Sequence, residues 1–353
     1  MNRLVSLWVA ALLGCSASKQ AVIAKNDKLE LVATFGDEQA TGVAVSAKGR
    51  VFVNFPLWGA TVKHSVIELK PDGSQAPYPS AEWNTPGPVN ERFVCVQAVW
   101  IDSADHLWIV DPANPRFGGI VPGGPKLVEV DLATDQVVRV IRFDESVTHK
   151  ASYLNDVRVD AERTTAYLTD SGTGAILVVD LATNTIARRL ENHPSVRAEA
   201  VKPKIGGKPW RGESGVPQIH SDGLALSSDG AHLFFLPLTG RTLYRVSTAW
   251  LKSGEGEPDV RAVAGLGSTA DGIETGPDGA LYLTALERDA VVRFDGAIVH
   301  DLVQDPRLLW PDSLSFAKDG SLYITASQIH LSPNFNGGKS ARTSPYQLWR
   351  WRR

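Results

Sequence analysis

The sequence predicts an all-β chain folded as a six-bladed β-propeller closed by an N-terminal strand, and three observations carry that prediction. A pattern of short strands and tight turns, clearest over residues 271–295 (DGIETGPDGALYLTALERDAVVRFD), recurs six times along the chain. Its spacing, roughly 40–50 residues, is that of one four-stranded blade. No stretch of ten or more residues carries a sustained run of apolar positions three and four apart, so helices are not expected to build the core.

Taken in order, residues 1–15 read as a lipoprotein-type signal peptide. Asn2-Arg3 supplies a positive end, and the apolar run 4–13 is too short to span a bilayer. Leu12-Leu13-Gly14-Cys15 resembles a bacterial lipobox, which makes Cys15 the expected lipid anchor, with an ordinary signal peptide cut near Ala17 as the alternative. Ser16 after that cysteine points to an exported protein at the periplasmic face of an outer membrane, or secreted, held to membrane only by the lipid. Residues 16–27 read as a tether and 28–353 as the propeller domain.

Residues 28–35 (KLELVATF) precede the first repeat, and the last repeat ends at Trp349-Arg350-Trp351 after three recognisable strands. The first strand is therefore expected to complete the last blade, since an open ring would leave two unpaired edges. The six repeats open at Thr41-Gly42, Gln97-Ala98, Asn155-Asp156, Asp222-Gly223, Asp271-Gly272 and Asp312-Ser313. Long Pro/Gly-rich connections at 76–92, 111–125 and 191–219 interrupt the pattern, and function concentrates in such loops. The third reads equally well as a functional loop and as a disordered excursion.

The formal charge of −3 and the lack of a basic stripe argue against a nucleic-acid partner. Beyond Cys15 the only thiol is Cys95, so no disulfide forms within the domain, and its apolar surroundings make it a core residue. Serine-hydrolase, zincin, NTPase and dinucleotide motifs are absent. A monomer is expected.

The strongest chemical signal is positional. If each opening begins an innermost strand, the six opening residues ring one end of the central channel, and the loops leaving the second strands, after Asp170 among others, share that face. Carboxylates and amide oxygens in such a ring suit a hard cation, Ca²⁺ or another divalent ion, with Asn155, Asp222 and Asp271 as its ligands. Gln97, Asp170, Trp310 and Asp312 are the expected ligand-binding residues, and Trp58 and Trp210 join Trp310 as candidate pocket walls. His220 is the candidate proton acceptor, with His149 and His330 weaker candidates. The alternative is that Asp-Gly merely satisfies its own turn. Asp72, Asp229, Asp278 and Asp319 read as turn residues elsewhere, and His106 and His232 as exposed on the far face.

YLNDVRVD at 153–160 with AYLTDSGTGAILVVDLATNTIARRLENHPSV at 166–196, and HSDGLALSSDGAHLFFLPLTGRTLYRVSTAWL at 220–251, resemble the major royal jelly protein/yellow family. That resemblance implies a secreted six-bladed propeller, with members linked variously to ligand binding, pigment formation and dopachrome conversion. More distantly the chain is similar to SMP-30/gluconolactonase-like propellers. Their metal is held by a glutamate, asparagines and an aspartate at the starts of inner strands. Asn155-Asp156, Asp222-Gly223 and Asp271-Gly272 fall on those positions, whereas Thr41 stands where that family has glutamate and Asp222 where it has asparagine. The expectation is a small-molecule site at the channel mouth. The alternatives are a metal-dependent lactonase or esterase and a surface interaction scaffold.

Overall fold

A computed structural model describes residues 25–353; the expected signal peptide, with Cys15, and most of the expected tether lie outside the described residues. Six four-stranded antiparallel sheets follow one another along the chain as the blades of a propeller. Their innermost strands are Val43–Val45, Ala98–Ile101, Leu154–Val159, Ser221–Leu226, Ile273–Thr275 and Pro311–Phe316. Each lies against the next, and the sixth returns to the first. Turn chemistry fixes the meander. Asp72, Asp229, Asp278 and Asp319 each accept the backbone N–H two residues on, as expected of turn residues.

The ring closes as the sequence requires. Leu29–Thr34 pairs antiparallel with Gln347–Trp351 and forms the outer strand of the sixth blade. Asn26 is already docked, its N–H donating to Asp305 Oδ2 at 2.6 Å while Arg307 donates to its carbonyl at 2.9 Å.

The core is a set of apolar layers between successive blades. One joins Val110 and Leu127 of the second blade to Val157 and Leu168 of the third; another joins Val291 of the fifth to Leu322 and Trp349 of the sixth. Polar stitches near the axis complement them. Asn54 Nδ2 donates to the carbonyl of Gln97 at 2.9 Å, Thr325 Oγ1 to that of Thr41 at 2.6 Å, and Thr169 Oγ1 to that of Asp222. Blades approach so closely here that a Cβ on Gly223 or Gly272 would overlap the carbonyl oxygen of Asp271 or Asp312 in the next blade. The glycine of the Asp-Gly openings is thus a packing requirement between blades.

One α-helix, Thr248–Ser253, was not anticipated. It is too short to display a helical period, and its signals are its ends: Ser247 Oγ accepts from Trp250 N at 3.1 Å, and Gly254 takes a left-handed φ of 67°. Cys95 is fully buried, and burial, then the charge of Asp111, pushes its thiol up to about 12. It is structural.

Candidate functional site

Strand starts put the opening residues at one mouth of the channel. Gln97, Asn155, Asp222, Asp271 and Asp312 all line one cavity of about 770 Å³, together with Trp310. Thr41 does not join them. It is buried between blades, its hydroxyl donating to the carbonyl of Gln97 at 3.0 Å and accepting from Asn54 Nδ2 at 3.0 Å.

The cavity floor is acidic. Asp222, Asp271 and Asp312 are 2%, 7% and 5% exposed. None forms an ion pair within the described residues. Asp222 and Asp271 are neighbours on this floor, each influencing the other's protonation, and Trp310 Nε1 donates to Asp271 Oδ2 at 2.7 Å. Burial raises the Asp271 carboxyl to about 7 against the opposing hydrogen bond from Trp310 and the interaction with Asp222, and the charge of Asp156 adds to the rise. Asp222 is held well above the usual carboxylate range by burial first and then by the charges of Asp271, Asp312 and Asp156. Asp312 is held there by burial and the charge of Asp271.

The walls are aromatic. Trp58 stacks on Phe117 at 5.3 Å, and Phe117 meets Tyr153 at 5.5 Å. A chain of hydrogen bonds orders this side: Trp58 Nε1 to Tyr153 OH (2.8 Å), Tyr153 OH to Gln97 Oε1 (2.9 Å), Gln97 Nε2 to Asn155 Oδ1 (3.3 Å) and Asn155 Nδ2 to Ser171 Oγ (3.2 Å). On the other side Trp310, fully buried with a left-handed φ of 58°, meets Trp210 edge-on at 5.1 Å and stacks with His330 at 5.9 Å. Trp210 belongs to the connection 191–219, which carries a short 3-10 turn at Pro194–Val196 and a two-stranded pairing of Lys204–Ile205 with Lys208–Pro209. Contrary to its expected place as a pocket wall, Trp210 does not itself line the cavity but packs with Ile205, Leu238 and Leu286 in a small apolar cluster around Trp310.

Two expected site residues sit elsewhere. His220 is not among the cavity-lining residues; its Nδ1 accepts the N–H of Ala198 at 2.9 Å, and burial, then Arg197, lowers its pKa. The strand begins only at Ser221, so the alternation that aims Asp222 inward does not extend to His220. Asp170 is fully buried at the right end of the channel but turned into the protein. It accepts from Tyr153 N, Gly172 N and Thr173 N and Oγ1, and pairs with Arg188 at 3.1 Å. Of the weaker histidines, His330 is buried and pushed down to about 4 by that burial, and His149 pairs with Glu191 at 2.9 Å. His106 is half-buried against Glu129 at 2.8 Å, not free on the far face. Tyr153 and Phe117 were missed by sequence reasoning, being ordinary aromatics in loops.

The sequence profile described as major royal jelly protein matches residues 94–337. The chain belongs to the major royal jelly protein family. Its similarity to individual members is modest: 26% identity to major royal jelly protein 5 of Apis mellifera, over 61% of this chain and 37% of that protein, and 25% to major royal jelly protein 7, over 52% and 42%. The matched region thus spans less than half the length of these curated relatives. Among solved structures, a calcium-binding regucalcin of Agrobacterium tumefaciens superposes with a TM-score of 0.57 at 13% identity, covering 91% of this chain and 93% of that one. A gluconolactonase of Xanthomonas campestris gives 0.56 at 14%, covering 91% and 88%. These likenesses show the propeller fold.

For the divalent cation expected from the sequence, the donors present do not make a ready cage. Among the described residues no three carboxylate, histidine or cysteine side chains are disposed around a common point. The three expected ligands also have engaged oxygens: Asn155 Oδ1 receives Gln97, Asp271 Oδ2 receives Trp310, and Asp222 faces Asp271.

Proposed function

We propose that this protein binds a small organic cation at the mouth of its channel, with an ammonium group over Asp222, Asp271 and Asp312 and an apolar ring against Trp58, Phe117 and Tyr153. The observation that carries the reading is the buried acidic floor: three carboxyls face an open cavity and no protein cation pairs with them among the described residues. A cationic ligand supplies the missing charge, and aromatic faces attract it further by about 0.5–2 kcal/mol. The volume lies in the range of pockets for drug-sized ligands. A divalent ion, alone or beside the ligand, is the competing occupant, supported by the calcium-binding neighbour. The metal-dependent lactonase reading would need a floor carboxylate as its base, because the other candidate base, His220, lies off the cavity.

Titration calorimetry with phenethylamine, phenylethanol and phenylacetate tests the reading. Binding of the amine alone is expected; equal binding of the acid would overturn it. Metal analysis of the same preparation decides for or against the competing ion. We further propose that the protein is exported and anchored through Cys15, so that Cys15→Ser moves it from the membrane to the soluble fraction. A wild type already in the soluble fraction contradicts the anchor.

A further inference from the structure

Below the cavity floor the channel holds a charged group of its own. Arg158, on the inner strand of the third blade, reaches across the axis to the inner strand of the fifth. Its Nη1 donates to Asp156 Oδ1 at 2.9 Å and to the carbonyl of Val157 at 2.7 Å. Its Nη2 donates to the carbonyl of Ile273 at 2.7 Å and to Glu274 Oε2 at 3.2 Å. Trp100 of the second blade lies under the guanidinium at 5.5 Å. Arg158 is 5% exposed.

All four atoms that hold the guanidinium are oxygens, two from carboxylates and two from backbone carbonyls. That is the donor chemistry a hard divalent ion takes. We propose that Arg158 is the resident cation of this channel: its guanidinium occupies an oxygen-lined site between blades three and five, neutralises Asp156 and Glu274, and keeps a metal out. The inference goes beyond the organic-cation reading, because that reading concerns only the carboxyls above. It also explains why the two acidic tiers differ. The lower tier carries its cation on the chain, and the upper tier does not.

Truncating Arg158 should unmask a metal site. Arg158→Ala, stripped with chelator, should unfold at a lower temperature than wild type and recover by a few degrees on adding Ca²⁺, whereas the wild-type midpoint should not respond through this site. Terbium should give luminescence sensitised by Trp100 in Arg158→Ala. That signal should be lost when Glu274→Gln is added and kept when Asp271→Asn is added, which separates it from any ion bound above. If Arg158→Ala does not fold, Arg158→Met combined with Asp156→Asn and Glu274→Gln removes all three charges together. Folding of that variant supports a resident cation, and its failure assigns Arg158 to packing and overturns the proposal. A folded Arg158→Ala with no Glu274-dependent terbium or Ca²⁺ response overturns it too, as does a Glu274-dependent Ca²⁺ stabilisation of wild type. Phenethylamine titration of wild type involves none of these residues, so the two readings can fail separately.

Discussion

Two sets of aspartates lie at the same end of the propeller, equally deep, and have been given opposite environments. In blades two and three the acids stand at the ends of the second strands, as Asp111 and Asp170, both fully buried. Asp111 accepts from Val94 N, Cys95 N and Ala113 N and pairs with Lys126 Nζ at 2.8 Å. Burial works to raise Asp170, but donors led by Ser152 and Thr173, with the charge of Arg188, hold it below the usual carboxylate range. In blades four to six the second strands end in Pro237, Ala285 and Ala326, and the acids stand instead at or just before the start of the first strands as Asp222, Asp271 and Asp312. There they meet few donors, each other and a cavity. Burial alone therefore does not mark a site; an acid whose donors are incomplete does.

The largest effect should come from breaking the satisfied set. Lys126→Met leaves Asp111 charged and unpaired in a dry site, which costs about 3–5 kcal/mol, and denaturant unfolding should show it as a strongly lowered midpoint. Asp271→Asn should do the reverse in the absence of ligand. The folded carboxyl keeps its proton up to about pH 7, against a usual value of 3.8. The ligand-free protein therefore loses stability from this group as pH rises from about 4 to about 7. The variant should lack that slope and gain, at pH 8, on the order of 1–3 kcal/mol. A stability–pH curve identical to wild type would remove the distinction between the two sets.

Between these lies the backbone contact that shapes the acidic half. Gly272→Ala places a Cβ against the carbonyl of Asp312 and should cost roughly 1–3 kcal/mol by forcing the fifth and sixth blades apart. Amine affinity should fall with it. The smallest effect should be that of Asp278→Asn in the far-face turn: stability changes within about 0.5–1 kcal/mol and no change in amine affinity. Loss of binding there would mean that the carboxyls act through overall charge.

Much of this was legible in the sequence because it repeats. The Asp-Gly openings and Pro-Asp-Gly turns gave the blade period, the missing fourth strand of the last repeat gave the closure, and equivalence of position gathered Gln97, Asn155, Asp222, Asp271 and Asp312 at one mouth. What stayed hidden was direction. Asp170 is as repetitive in position as Asp222, and only its donors reveal that it faces inward to protein. Arg158 reads as one polar residue in a strand, since nothing local tells a side chain to cross the channel to a blade 115 residues away. Tyr153 and Phe117 act through neighbours supplied by other blades, which no single repeat displays.

The central claim, that the upper carboxyls await an organic cation, is tested most directly by titrating phenethylamine into wild type, Asp222→Asn, Asp271→Asn and Asp170→Asn at pH 8, each variant first shown to be folded. The account predicts one site in wild type, an affinity reduced at least about tenfold, or about 1.4 kcal/mol, by either substitution on the cavity floor, and binding retained in any folded Asp170→Asn protein. Undiminished binding by Asp222→Asn and Asp271→Asn, or none by wild type, would contradict it.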